Sequence, residues 1–347
     1  MSDPAQSPSF TIPPRAADQS AAPRWPLWSL YVAAVLSGSA IFVARLAPAV
    51  AETPTLTAVG VLAFGVFGVL VAWLLSRINY FRTLAPRTAA LAVLWGGGAA
   101  IGYALLANTA IHDHFASQGR AGLWPLFAPL TEDPAKDIGI VIVLLLAGTR
   151  PRSALDGLVA GSFVGLGFEV VESLTRAINN AIALHPEGQR DNLGSLATDV
   201  IHEVVRNSWT GHIVLTGIAG FGIGYLLTAR DRSVARRWAV AMALILLAGA
   251  GHLLWNSHRF GLLYVLGQFG LLAFFLWLIR VGRRLEAAVY LPYLAYAPLQ
   301  VDTAPVPSRT AVRRRHRATA VLASAIANGD AQRAHEAADR LAPARPT

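Results

Sequence analysis

Glu132, Asp133, Lys136, Glu172, His212, His252 and Asn256 are polar or charged residues set within, or at the ends of, long apolar runs. Glu132-Asp133-Pro134-Ala135-Lys136 gathers two acids and an amine within about one helical turn. The stretch 155–174, LDGLVAGSFVGLGFEVVESL, carries Gly157, Gly161 and Gly165 and then Glu169 and Glu172 before its apolar run ends. His212 follows Ser208-Trp209-Thr210-Gly211 and opens a third run. His252 and Asn256 close a fourth, four residues apart and so on one helical face. Two imidazoles and a carboxylate can hold a divalent metal and leave a position for water. A further glutamate can take that water's proton. Lys136 or Asn256 can then stabilise negative charge on a scissile carbonyl oxygen. The chemistry such a group supports is hydrolytic.

Other candidates are weaker. His202-Glu203-Val204-Val205-Arg206 has Arg where the HExxH zinc motif needs its second His. His112 and His114 flank Asp113 in what reads as a solvated outer loop, and His185 and His258 read the same way.

Composition defines the solvent in which this chemistry would run. Of 347 residues 54% are hydrophobic and only 14% charged, and the mean hydropathy is +0.47. These values point to an integral membrane protein. With no cysteine, disulfides and thiol chemistry are excluded, and a metal must use His, Asp or Glu. The 29 basic residues against 20 acidic ones lie mostly in loops beside apolar spans and in the C-terminal tail. Membrane orientation accounts for them, and no nucleic-acid partner is expected. Lys136 is the sole lysine; every other basic residue is Arg.

Apolar spans fall at about 26–47, 56–76, 88–108, 130–149, 155–174, 208–229, 238–257 and 260–281. They predict an all-α, polytopic helical membrane protein with about eight transmembrane helices. Arg77, Arg82 and Arg87, then Arg150 and Arg152, then Arg230, Arg232, Arg236 and Arg237 fill alternate loops, and Arg280, Arg283 and Arg284 begin the tail. The positive-inside rule puts that side in the cytoplasm, with both termini inside. The membrane is expected to be a bacterial-type plasma membrane. Residues 1–25 read as a disordered arm, 26–281 as the membrane domain, and 282–347 as a basic cytoplasmic tail with a proline-rich linker and a helix. In the tail, Arg313-Arg314-Arg315-His316-Arg317 suits anionic lipid headgroups. Ala49-Val50-Ala51 resembles a signal cleavage site, but the apolar run before it, about 20 residues, exceeds the 7–15 of a signal peptide, so the first helix is expected to stay.

Two of these spans are too short without their charges. The uncharged parts of 130–149 and 155–174 are each about a dozen residues, against roughly 20 needed to cross a bilayer core. Their carboxylates are therefore drawn to membrane depth, where an ionisable group points to function. On a helix wheel Gly161, Gly165, Phe168 and Glu172 share one face, which favours Glu172 over Glu169 as the bundle-facing acid. A local alternative makes Asp133 an N-cap with Pro134 at the first helical position, leaving Glu132 and Lys136 as a surface pair. Counted from the cytoplasmic ends at about 1.5 Å per residue, Glu132, Glu172 and His212 lie roughly 26 Å deep and His252 about 21 Å. Four helices thus bring two Glu and two His to one level near the outer face.

Taken in order, these motifs resemble the PrsW-type intramembrane proteases, relatives of the CAAX-processing proteases. The EExxK motif is matched by Glu132-Asp133-Pro134-Ala135-Lys136, with Asp in place of the second Glu. The FxxxE motif is matched by Phe168-Glu169-Val170-Val171-Glu172, the third by His212 ahead of Gly217, Gly220, Gly222 and Gly224, and the fourth by His252-Leu253-Leu254-Trp255-Asn256. The resemblance covers about 88–281 and implies an intramembrane endopeptidase of metallo type acting near the outer leaflet. Glu132 would activate water, and Glu172, His212 and His252 would bind the metal, with zinc the expected ion. Asp133, Lys136 and Asn256 would complete the catalytic group. The implied partners are the lipid bilayer and a single-span membrane substrate like the anti-sigma factor cut by the founding member. The alternative is a non-catalytic membrane scaffold that keeps the same polar core.

Overall fold

The computed structural model describes residues 24–78, 84–146, 153–184, 193–202, 211–257 and 261–295, together with 321 and 324. The chain divides into two compact units, 25–284 and 1–24 with 285–347. The arm 1–23, residues 208–210 of the sixth span, Arg150, Arg152, His185, Arg206, His258 and the tail's Arg cluster lie outside the described residues.

The described chain is all helical. Its helices are α1 (Trp25–Glu52), α2 (Pro54–Ile78), α3 (Pro86–Leu94), α4 (Ile101–Ser117), α5 (Ala128–Leu146), α6 (Ala154–Leu184), α7 (Leu193–His202), α8 (His212–Thr228), α9 (Val234–Trp255) and α10 (Leu262–Ala295). A π-helical segment, Trp95–Ala100, joins α3 to α4 without a break. Six of these helices are long and apolar enough to cross a membrane: Trp25–Glu52, Pro54–Ile78, Pro86–Ser117, Ala154–Leu184, Val234–Trp255 and Leu262–Ala287. The other two predicted spans are α5 and α8. α5 has 19 residues but carries Glu132, Asp133, Lys136 and Asp137. α8 is apolar but only 17 residues long.

Three local expectations change. α5 begins at Ala128, so Asp133 is not an N-cap and Pro134 lies inside the helix. Glu132 and Lys136 are 4% and 1% exposed, so they are no surface pair. α4 continues to Ser117, which puts His112, Asp113 and His114 on a helix rather than in a loop. The expected loop after residue 174 is helical to Leu184 and again over α7, because no Gly or Pro interrupts 175–184.

α6 is the centre of the unit. Every residue from 154 to 169 is buried, a pattern a helix shows only when neighbours cover all its faces. α8 packs along one side and α2, α3 and the π segment along the others. The α6–α8 approach is backbone to backbone: a Cβ on Gly165 would meet the His212 carbonyl, and one on Gly161 the Thr216 carbonyl. Small residues at this spacing let helices close on one another in lipid. On the other side a Cβ on Gly167 would meet the Val93 carbonyl. The Trp95 indole N–H donates to the Ala135 carbonyl at 2.9 Å, fastening the π segment to α5 beside Pro134. Gly165→Ala should therefore push α8 and His212 away, with a loss of about 1–3 kcal/mol as for other overpacked cores. Thermal unfolding in detergent measures it; an unchanged midpoint would show that the contact tolerates a methyl group.

Candidate active site

α5, α8 and α9 each deliver one residue to a single buried group. Glu132, His212 and His252 each offer a ligand atom, and these atoms all lie within 4.8 Å of one another. The residues are 4%, 4% and 2% exposed. The two imidazoles meet edge to face with ring centroids 4.8 Å apart, and His252 Nε2 is 3.6 Å from Glu132 Oε2.

Each member of the trio is held from behind. Asp133 Oδ1 accepts from His252 Nδ1 at 2.8 Å, so in the neutral ring Nε2 is the nitrogen with the free lone pair. Lys136 Nζ can only donate, so at 2.9 Å it makes His212 Nδ1 an acceptor. The His212 proton is then on Nε2, which donates to Glu172 Oε2 at 2.9 Å. Glu132 Oε1 accepts from the Asn108 amide at 2.9 Å. Carboxylates behind ligating imidazoles, fixing tautomer and ring orientation, are what metal-binding histidines commonly have.

Lys136 lies among these groups. Its ammonium is 3.2 Å from Glu132 Oε2 and 3.4 Å from Asp133 Oδ1, and it lies 3.9 Å from the centre of the Phe168 ring. Phe168 in turn packs edge-on against His212, centroids 4.8 Å apart. The one lysine of the chain is thus the cation that offsets two carboxylates drawn out of water.

α6 contributes Glu169 and Glu172, and each meets His212. Glu169 is 1% exposed, and its Oε2 accepts from the His212 backbone N–H at 2.8 Å. Gly211, the N-cap of α8, has no capping side chain; the neighbouring helix supplies the carboxylate that this helix start needs. The Glu172 side chain is 27% exposed. Arg176 lies 3.4 Å from Glu169 and 3.6 Å from Glu172. The wheel placed Glu172 toward the bundle, where its carboxylate meets the His212 imidazole, but it set Glu169 aside, because it assumed one inward face and α6 is enclosed on every side over 154–169. Asn256 sits at the end of α9, where its amide donates to the Pro125 carbonyl at 2.8 Å.

All the predicted site residues therefore lie on helices of the same unit or, for Asn256, at a helix end, and Glu132 rather than Glu172 stands in the close trio with the histidines. The sequence reading missed Asn108, Arg176 and Asp137. Asn108 sits in the apolar Pro86–Ser117 helix and Asp137 at the edge of the uncharged run 138–146 of α5, and polarity beside apolar sequence is the signal that would have found them. Asp137, with Asp133, Thr216 and Ala248, lines a small cavity of about 10 Å³ between α5, α8 and α9.

A buried His, His, Glu trio inside an apolar helical bundle is the constellation of a membrane-embedded metallopeptidase. Consistent with this, the PrsW family intramembrane metalloprotease model matches residues 85–280, more than half of the chain. The chain belongs to that family, and it is a multi-pass integral membrane protein with peptidase activity of metallo type. No curated protein and no solved structure matches it.

Proposed function

We propose that this protein hydrolyses peptide bonds of single-span membrane proteins at a site near the outer leaflet, on substrates of the anti-sigma-factor kind. The observation that carries the reading is the trio itself, in which three helices converge on one carboxylate and two imidazoles held in set tautomers. α5 and α8 join the six long apolar helices as short spans, giving eight crossings with both termini in the cytoplasm of a bacterial-type plasma membrane. The Arg-rich tail then meets anionic lipid headgroups.

His212 and His252 would hold the metal directly and Glu132 would hold it through the attacking water; zinc suits imidazole ligands with a position left open for water. When bound, the ion polarises the scissile carbonyl and makes a water acidic. The chain's own groups do the rest. Glu132 is the carboxylate that faces both imidazoles, and its Oε2 receives the proton of the attacking water. Asp133 and Glu172 keep His252 and His212 in the tautomers described, and Glu169 anchors the start of α8. Lys136 Nζ, next to Glu132 Oε2, is placed to meet negative charge on the carbonyl oxygen.

The test is cleavage of a purified single-span protein carrying an extracytoplasmic stub, with both proteins in lipid nanodiscs. Cleavage should stop on chelation, return with zinc, and fall near the stub side of the span. Intact substrate under all conditions, with the polar residues affecting only folded yield, would favour a scaffold.

A further inference from the structure

Glu132 has two oxygens, and the structure distinguishes them. Oε2 faces Lys136 at 3.2 Å and His252 Nε2 at 3.6 Å. Oε1 faces away, toward α4, where it accepts from Asn108 Nδ2 at 2.9 Å. The Asn108 amide is itself fixed, because its Oδ1 accepts from Thr131 Oγ1 at 2.6 Å. A flipped amide would set Oδ1 against Glu132 Oε1, two acceptors in contact. Asn108, Thr131 and Glu132 thus form a short chain, in which the single Thr131 hydroxyl proton is shared between Asn108 Oδ1 and the Ala128 carbonyl at 2.9 Å, and Glu132 Oε1 sets which way the Asn108 amide faces.

Position strengthens the argument. Asn108 lies in the apolar stretch of the Pro86–Ser117 helix, where an amide is costly unless it is bonded. Its hydrogen-bonding groups serve Glu132 and the residue beside it. It hydrogen-bonds to neither histidine, and its bond into the site goes to Glu132.

We infer that Asn108 is a positioning residue that commits Glu132 to presenting Oε2, and not Oε1, to the metal-holding histidines. The inference rests on the reading of Glu132 as a member of the metal-holding trio. Outer-shell partners of this kind typically contribute roughly 10–100-fold to metal affinity. A residue that merely joined α4 to α5 would alter folding but leave the affinity per folded molecule unchanged.

The experiment is calorimetric titration of zinc chloride into the purified, metal-stripped full chain, with the affinity read per folded molecule. Asn108→Leu, with Asn108→Ser as the smaller replacement should Leu not fold, is compared in the native and Glu132→Gln backgrounds. Zinc binding should weaken roughly 10–100-fold in the native background, with no further loss in Glu132→Gln. Native affinity in both Asn108 variants, while Glu132→Gln binds zinc measurably more weakly, overturns the inference. An equal fold-loss in both backgrounds overturns it too, since the effect would then not pass through Glu132. Native zinc affinity in Glu132→Gln alone would instead remove Glu132 from the trio, a different failure.

Discussion

Glu132→Gln should lower the rate of substrate cleavage by roughly 10²–10⁴-fold, the range ascribed to a single positioned acid or base. The substitution keeps the shape of the side chain and leaves Oε1 to accept from Asn108, so the α4–α5 contact survives. What it removes is a charged acceptor 3.6 Å from His252 Nε2 and 3.2 Å from Lys136 Nζ. Because the residue is only 4% exposed, bulk water cannot substitute for it. Glu172→Gln is the informative partner. An amide there can still accept from His212 Nε2 through its oxygen. Its cost should therefore be smaller, with zinc binding weakened by no more than about tenfold, the low end of the range for loss of an outer partner. Initial cleavage rates and zinc titrations on the same preparations measure both. If Glu172→Gln abolishes zinc binding and Glu132→Gln spares it, the two carboxylates exchange roles.

That comparison also marks what the sequence made legible. Glu132, Glu172, His212 and His252 were readable because an ionisable residue inside an apolar run is conspicuous, and depth counting put them at one level. Rotation about each helix axis was not readable. The wheel put Glu172 inward and Glu169 aside, a sound argument for a helix with a lipid-facing side. α6 has none over 154–169, so Glu169 became the buried acid that caps α8. Asn108 escaped for a related reason: an amide in an apolar helix becomes informative only once its partner on another helix is known. Pro134 misled at the level of the element. Proline at a first helical turn is common, yet here α5 starts at Ala128 and Pro134 lies inside it, beside the carbonyl of Ala135 that Trp95 binds.

Lys136→Met should have opposite effects in the metal-free and zinc-loaded protein. In the metal-free state the Lys136 ammonium is the cation that faces Glu132 and Asp133, 1% exposed and bonded to His212 Nδ1. Removing one partner of a buried ion pair leaves the other charged and unpaired, at a cost of about 3–5 kcal/mol. The metal-free variant should therefore unfold markedly earlier on heating in detergent. Zinc changes the balance, because Lys136 engages two of the three residues that would hold the ion. In the native chain, zinc must compete with an ammonium for Glu132 and His212. In Lys136→Met it meets no competitor, and it supplies the positive charge the variant lacks. A ligand that binds only the folded state stabilises by about 2.7 kcal/mol at a hundredfold excess over its dissociation constant. The zinc-induced rise in unfolding temperature should therefore be larger in Lys136→Met than in the native chain, even though the variant cleaves poorly for want of a donor to the carbonyl oxygen. Equal rises in the two proteins would mean that the ammonium and the metal do not contend for the same residues, and that Lys136 remains in place when the ion is bound.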